Sequence, residues 1–459
     1  MKKILSISLL LAAALAFTAC SPSEEDDIFD KSAAERLNEA SDLYSGRLMA
    51  SPNGWAMQLY PTTENEYPYG NGYLLLCRFN RDHSVNVSMD NVFSDNKYLE
   101  DTSLWEVLTD NGPVLSFNSH NKCIHAFSYP EDIPFTGDSD TPNDETGVGV
   151  GGDYEFIIVD APEDASYMML KGKKRGTYNL LTPIEVGVEY KDYLADVKEF
   201  QTRMFPSNVP TFNVLKVGET LYKMTGADDG IPNIFPYDGD EIIDESFNAF
   251  LVTKRGNDYY LRLRDEFNAG DTKVQEFRYN TERDVFESVN DPNSVLEGDN
   301  PVRFFKETII DDQLEHYNWR FNVNTSDASE SMKAILSSAA KEFSDRKMTL
   351  NHFTFLQRDE RITLNVQYRT SKNALANLYF YYNVQATENG VTLSYDGYSG
   401  TEGNVLAQMP GLKSIVENTL SQTFNVGSAF TQFNQNNLTL TSASDPNLWV
   451  VVFLSKNNK

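Results

Sequence analysis

The residues best equipped for chemistry in this chain are acidic and clustered. Asp138, Asp140 and Asp144, with Glu145, precede a run of glycines, and Asp238 and Asp240, with Glu241, Asp244 and Glu245, form a second group. Calcium takes about six to eight oxygen ligands, which closely spaced aspartates and loop carbonyls can supply. Neither group follows the EF-hand pattern, and solvated loops are the commoner use of such runs in a chain of net charge −28. Calcium is therefore the one cofactor the sequence raises, with Asp138, Asp140, Asp144, Asp238 and Asp240 as its candidate ligands; no motif calls for any other.

The remaining chemical patterns are incomplete. The histidines (His83, His120, His125, His316 and His352) form no H-E-x-x-H, and no paired-cysteine zinc spacing is present. On a regular strand His125 would share a face with Cys123, and His120 would not. Gly147–Gly152 satisfies G-x-G-x-x-G. A dinucleotide site, however, needs a strand before the glycines and a helix after them to receive the pyrophosphate. Here an acidic loop precedes and the strand-like Tyr154–Val159 follows, so the glycines read as a flexible lead-in to a strand. Gly397-Tyr398-Ser399-Gly400 fails G-x-S-x-G at Thr401, and Ser344-Asp345-Arg346-Lys347 matches S-x-x-K without its companion motifs. A glycosidase carboxylate pair is defined by separation in space, and 67 acidic residues offer no basis for choosing two.

Two further patterns concern binding. Lys171, Lys173, Lys174 and Arg175 form a compact basic cluster, either an anion-binding hairpin or a solvated turn. Tyr379-Phe380-Tyr381-Tyr382 must divide its rings between two faces of a strand. One face can serve as a sugar or peptide platform, although filling sheet interfaces is the commoner use of such rings.

The elements that must position these residues are mostly short strands. A helix is expected from Ser32 to about Ala50, where Ser32 and Glu35 have capping-box spacing and Ala33, Leu37, Ala40, Tyr44 and Leu48 share a face. Pro52-Asn53-Gly54 ends it. Alternating segments then predict strands at Trp55–Tyr60, Tyr73–Phe79, Val85–Met89, Leu104–Leu108, Val114–Asn118, Cys123–Phe127, Tyr154–Val159, Tyr167–Lys171 and Thr177–Leu181. A second helix is expected over Val188–Met204, a third from Asp327 and a fourth from Pro410 through Phe424. Strands are expected between them, including Phe250–Lys254, Tyr259–Arg264, Val274–Tyr279 and Arg303–Lys306. The fold class is thus β-rich α+β, multidomain, with antiparallel sheets of barrel or sandwich type each preceded by a helix. Cys77 and Cys123 fall in two of the expected strands. They are a candidate disulfide if their Cα atoms lie within roughly 4.4–6.8 Å, and two separate buried thiols otherwise.

The amino terminus supplies an address. Met1-Lys2-Lys3, the apolar stretch Ile4–Phe17 and the small pair Thr18-Ala19 make a secretory signal, too short for the roughly 20 residues of a membrane helix. Cys20 directly follows. A cysteine at that position is the mark of a bacterial lipoprotein, cleaved and acylated there, although Phe17 occupies a place usually held by Leu. Several acyl chains on one cysteine exceed the two signals that stable anchoring needs. The acidic balance argues against nucleic acid, whose affinity rests on Lys and Arg neutralising phosphates, and against adsorption to anionic lipid.

The acidic run Glu24-Glu25-Asp26-Asp27 resembles the surface-export signal of Bacteroidota lipoproteins. Phe29-Asp30-Lys31-Ser32-Ala33-Ala34-Glu35-Arg36-Leu37, Asn53-Gly54-Trp55, Gly72-Tyr73, Gly151-Gly152-Asp153-Tyr154-Glu155-Phe156 and Leu170-Lys171-Gly172-Lys173-Lys174 are similar to one uncharacterised family of Bacteroidota surface lipoproteins. The resemblance implies an outer-membrane location facing the cell exterior and a binding or accessory role in an outer-membrane nutrient-uptake complex. Fold alone does not fix such a role.

The resulting organisation is a signal peptide (1–19), a lipidated acidic tether (20–31), a helix-plus-β domain (32–183), a middle helix-plus-β region (184–326) and a C-terminal α+β region (327–459), the last two being separate or one domain. The expected function is non-catalytic capture of an extracellular glycan or peptide by a protein held to the membrane through its lipid. A surface hydrolase of glycans or proteins and an adhesion or scaffolding lipoprotein are the alternatives.

Overall fold

In the computed structural model the described residues are 32–65, 69–110, 112–128, 150–206, 212–227, 230–237, 246–310, 317–358, 360–388 and 390–456. Their architecture is β-rich, with two curled antiparallel sheets and one closed barrel. Helix α1 (Ala33–Leu48) begins as its sequence dictates. Ser32 Oγ accepts the Glu35 N–H at 3.2 Å and Glu35 Oε2 accepts the Ser32 N–H at 2.9 Å, so two orphan amide donors are satisfied reciprocally. The helix ends at Leu48, and the turn into the first strand passes through Gly54, whose φ of +80° few other residues adopt. A Cβ there would lie 2.1 Å from Tyr190 Oη and 2.5 Å from the Cys77 carbonyl oxygen.

The first sheet holds β1 (Trp55–Leu59), β2 (Tyr73–Phe79), β3 (Ser84–Met89), β4 (Leu99–Leu104), β5 (Glu106–Asp110), β6 (Gly112–Ser116), β7 (Glu155–Asp160), β8 (Met168–Gly172) and β9 (Tyr178–Pro183). Its order is β4-β3-β2-β1-β9-β8-β7-β6-β5, so the consecutive strands β4 and β5 form its two edges and the sheet must curl. Sequence periodicity predicts one strand over Leu104–Leu108. Instead the buried Trp105 separates two, its backbone N–H donating to the His83 carbonyl at 2.9 Å. Along β1, Trp55, Met57 and Leu59 enter the core inside the curl, while Ala56 and the following Tyr60 enter a second core on the outer face.

That second core is shared with α2 (Tyr190–Met204) and the next sheet. It comprises β10 (Phe212–Val217), β11 (Thr220–Thr225), β12 (Asn233–Pro236), β13 (Phe250–Arg255), β14 (Asp258–Ala269), β15 (Thr272–Asn280), β16 (Val285–Ser288) and β17 (Val295–Gly298), in the order β12-β11-β10-β17-β16-β15-β14-β13. Tyr193, Leu194, Val197, Phe200 and Met204 are the buried stripe of α2, and Phe200 stacks on Tyr259 with ring centroids 3.9 Å apart.

The barrel runs β18 (Tyr317–Asn322), β19 (Thr349–Arg358), β20 (Arg361–Arg369), β21 (Leu375–Ala386), β22 (Gly390–Tyr398), β23 (Thr423–Ser428), β24 (Asn437–Ser442) and β25 (Trp449–Lys456), with β25 closing on β18. Helix α3 (Pro301–Ile310) packs against β18, β19, β21 and β23, strands from around the wall, and Phe305 stacks on Trp319 at 5.4 Å. The strand expected at Arg303–Lys306 is therefore part of a helix. Pro301 opens it, Asn300 Oδ1 accepts the Val302 N–H at 2.8 Å, and Val302, Phe305 and Ile309 have helical spacing. This helix and β18 lie ahead of residue 327 yet share the barrel core.

Helix α4 (Glu330–Ser344), capped by Ser329, packs beside β19. A short helix α5 (Glu402–Gln408) precedes the fourth expected helix, which is shorter than Pro410–Phe424: α6 (Pro410–Ser414) runs into a π-turn over Ile415–Thr419. Phe424, expected on its apolar face, lies on β23.

The loop from β23 to β24 reaches out of the barrel. Phe433 inserts between Phe205 and Phe286 in the middle core, with centroid separations of 5.7 and 5.2 Å. Gln432 Oε1 accepts the Gly298 N–H at 3.1 Å and Gln435 donates to the Asp299 carbonyl at 2.8 Å. The barrel and the second sheet are thereby keyed together.

Candidate functional site

A cleft of roughly 280 Å³ opens where the first sheet, α2 and β13 meet. Leu74, Leu194, Val197, Phe205, Leu251 and Val252 supply apolar lining, and Asp90, Asn91, Asn96, Lys198, Gln201 and Thr202 supply polar lining. Helical spacing explains part of this arrangement. Leu194, Val197, Lys198 and Gln201 are three and four residues apart and project to one side of α2.

Asp90, Asn91 and Asn96 arrive on the chain following β3. Asn91 Oδ1 accepts the Phe93 N–H at 2.9 Å, starting a short 3-10 turn over Val92–Ser94 that ends with Asp95 and Asn96 in left-handed conformation. This fixes Asp90, which accepts from Lys198 Nζ at 2.6 Å. The other end of the Asn91 amide, Nδ2, is buried without a hydrogen-bond partner among the described residues. A buried amide donor left unmade is costly, and a ligand oxygen would satisfy it. The cleft was missed in the sequence because its lining residues come from four separated segments. Capping-type Asn91 and the apolar stripe of α2 were its only local signals.

A second cavity, roughly 420 Å³, lies beside the β8–β9 turn. It brings together two patterns legible in the sequence, the glycines Gly151-Gly152 and the basic residues Lys173, Lys174 and Arg175. Asp153, nearly inaccessible to solvent, accepts the backbone N–H of Lys174 at 3.0 Å and of Arg175 at 2.9 Å. Burial pushes the Asp153 carboxyl above its usual range, against those hydrogen bonds and the neighbouring cations. Arg175 Nε donates to the Gly151 carbonyl at 3.0 Å, and Lys173 bridges Glu155 at 3.0 Å and Asp110 at 3.2 Å. Lys171 instead places its ammonium 5.3 Å from the Tyr178 ring centroid.

Close by, Tyr154 stacks on His125 at 5.0 Å, and His120 lies 5.5 Å from His125. The strand expected over Cys123–Phe127 is a turn followed by a 3-10 helix over His125–Ser128. Asn121 is the reason. Its side-chain oxygen accepts the N–H groups of Cys123 and Ile124, and its carbonyl accepts that of His125, which outcompetes strand pairing. Strand parity therefore does not govern this triplet. Cys123 Sγ instead donates to the Val87 carbonyl at 3.2 Å, inside the first core. Burial lowers the His125 pKa, with His120 adding to the effect.

Cys77 and Cys123 are free, buried thiols. The calcium candidates Asp138, Asp140, Asp144, Asp238 and Asp240 lie outside the described residues, as does Cys20. Among the described residues no cluster of three or more His, Cys, Asp or Glu side chains is placed to hold a metal. Ser344 and Lys347 close the carboxyl end of α4, the Lys347 N–H donating to the Ser344 carbonyl at 2.8 Å. Of the aromatic run on β21, Phe380 and Tyr382 fill the barrel core. Tyr379 and Tyr381 face outward, each beneath a guanidinium, Arg358 at 3.9 Å and Arg361 at 3.8 Å from the ring centroid.

No helix among the described residues is long and apolar enough to cross a membrane. A family described as a domain of unknown function (DUF4302) matches residues 25–281. That match takes in the first sheet and the second as far as the end of β15, and leaves the barrel outside. No curated protein matches the chain.

Proposed function

The chain belongs to the DUF4302 family of domains of unknown function, and from that premise we propose that it is a Bacteroidota surface lipoprotein that captures an extracellular ligand without transforming it. The observation that carries the reading is the cleft at the seam of two sheets, with an apolar floor, a polar rim and the unpartnered Asn91 amide. Ligand sites favour such seams, where apolar walls give affinity and a few fixed polar groups give orientation. Asp90 and Lys198, the oppositely charged residues on its rim, occupy each other as an ion pair.

The address rests on the leader ending at Cys20 and on the acidic run that follows it. Acylation there would hold the protein to the outer membrane, facing the exterior, as an accessory of an outer-membrane uptake complex.

The test is a thermal-shift panel on the full chain with glycans, peptides, haem and divalent cations, with and without chelator. A ligand present at about 100 times its Kd adds roughly 2.7 kcal/mol of stability. We expect one ligand class to raise the unfolding temperature, and Asn91→Asp, which keeps the capping oxygen but removes the amide donor, to abolish the shift. A flat panel from a folded sample would overturn the capture reading. Anchoring is tested separately: Cys20→Ala should release the protein from membranes, and a processed, lipidated Cys20→Ala protein would refute it.

A further inference from the structure

We propose that the cavity beside the β8–β9 turn binds the carboxylate of a uronate-type saccharide between Lys174 and Arg175, with Tyr154 as the ring-facing wall. Three features of the cavity carry this.

The first is the division of charge among three consecutive basic residues. Lys173 is neutralised by Glu155 and Asp110. Lys174 Nζ has no ion-pair or hydrogen-bond partner among the described residues, and Arg175 uses only Nε, on the Gly151 carbonyl. The remaining guanidinium nitrogens and the ammonium therefore belong to residues that line a cavity of roughly 420 Å³, and among the described residues no carboxylate pairs with them directly, Asp153 being held by the backbone N–H groups of the turn. A guanidinium edge beside an ammonium matches a planar carboxylate.

The second is rigidity. Asp153 holds the two backbone N–H groups of the turn, Gly172 N–H donates to Thr177 and Gly176 N–H to Gly172. Gly172 itself has no room for a side chain, since a Cβ would lie 2.2 Å from Asp153 Oδ2. The two cations are thus presented from a fixed platform, which reduces the ordering cost of binding.

The third feature selects the anion. A phosphate site is usually a nest of free backbone amides. Here the N–H groups of Gly152, Lys174 and Arg175 are all committed, to Phe127 and to Asp153. The Asp153 and Glu155 carboxylates also line the cavity and would repel a multiply charged group more than a singly charged one. Tyr154 is 45% exposed, and its stacking on His125 at an interplanar angle of 22° holds the ring in place. An exposed, immobilised phenol next to a monoanion site suits a sugar ring bearing one carboxylate.

The proposal is independent of what fills the cleft by α2. It is tested by isothermal titration of the full chain with trigalacturonate, with maltotriose and inorganic phosphate as comparison titrants. We expect trigalacturonate to bind, to weaken with added salt, and to lose at least tenfold affinity in Lys174→Gln/Arg175→Gln and in Tyr154→Ala. The first variant keeps both backbone bonds to Asp153, so it should remain folded, its thermal midpoint lowered only modestly by loss of the Arg175–Gly151 hydrogen bond and of the cations beside Asp153. Unchanged affinity in it, equal binding of maltotriose, tighter binding of phosphate, or no trigalacturonate binding would each overturn the assignment.

Discussion

Asp284, at the β15–β16 turn, accepts the hydroxyl of Thr431 at 2.8 Å from a barrel loop 147 residues further along the chain. The same carboxylate accepts the Gln432 N–H at 2.7 Å and the Tyr279 hydroxyl at 2.7 Å. This contact seats Phe433, which is fully buried in the core of the second sheet. Phe433→Ala should therefore cost about 3–5 kcal/mol, the range for a large aromatic removed from a packed core. Asp284→Ala should cost about 1–3 kcal/mol through the donors it strands. Urea unfolding followed by tryptophan fluorescence measures both. A loss under about 1 kcal/mol for Phe433→Ala would mean that the barrel loop does not key the two units.

His352, on β19, is nearly buried, and its pKa falls to about 4, chiefly through burial and secondarily through Arg320. A depressed folded pKa means that the unfolded chain binds the extra proton first. The stability contributed by neutral His352 is full above about pH 6.5 and is lost as pH falls towards 4. The loss from this group is at most about 3 kcal/mol. Urea midpoints measured between pH 7 and 4 should decline, and His352→Gln should flatten part of that decline. An identical pH profile in the variant would refute the assignment.

Gly54 sits where only a residue without a side chain fits, by both its φ of +80° and the 2.1 Å approach to Tyr190 Oη. Gly54→Ala should cost more than about 2 kcal/mol, since strain in the turn adds to displacement of Tyr190, whose hydroxyl donates to the Asn53 carbonyl at 2.8 Å. Circular dichroism melts would show it. A neutral substitution would mean that the α1–β1 junction is looser than described.

Burial raises the pKa of both core thiols, that of Cys123 to about 12. Since the thiolate is the reactive species, neither Cys77 nor Cys123 should react with a thiol reagent in the native protein at pH 8. Both should react after denaturation without reductant. Failure to recover two thiols on unfolding would instead point to a Cys77–Cys123 disulfide.

Much of this molecule was legible in local pattern. The Ser32–Glu35 capping box, the period-two alternation through Trp55–Leu59 and Tyr73–Phe79, and the apolar stripe of α2 each satisfy their hydrogen bonds or bury their faces within a few residues, so spacing alone determines them. The antiparallel, β-rich fold class follows from the same periodicity. Periodicity failed where a side chain or a distant surface decided the matter. Asn121 turned an apolar, strand-like segment into a 3-10 helix by bonding its own backbone. Val302–Ile309 became a helix because a barrel interior was there to receive Phe304 and Phe305.

The candidate sites divide along the same line. Residue types alone marked the basic cluster at Lys173–Arg175 and the glycines at Gly151-Gly152, because charge and missing side chains are properties of single positions. That the two share a cavity depends on β8 and β9 folding beside the chain entering β7. The cleft at Asn91 depends on two sheets meeting across α2. Which edges of a curled sheet meet, and which core receives Phe433, are decided by contacts between residues far apart in the chain, and only the tertiary structure supplies those.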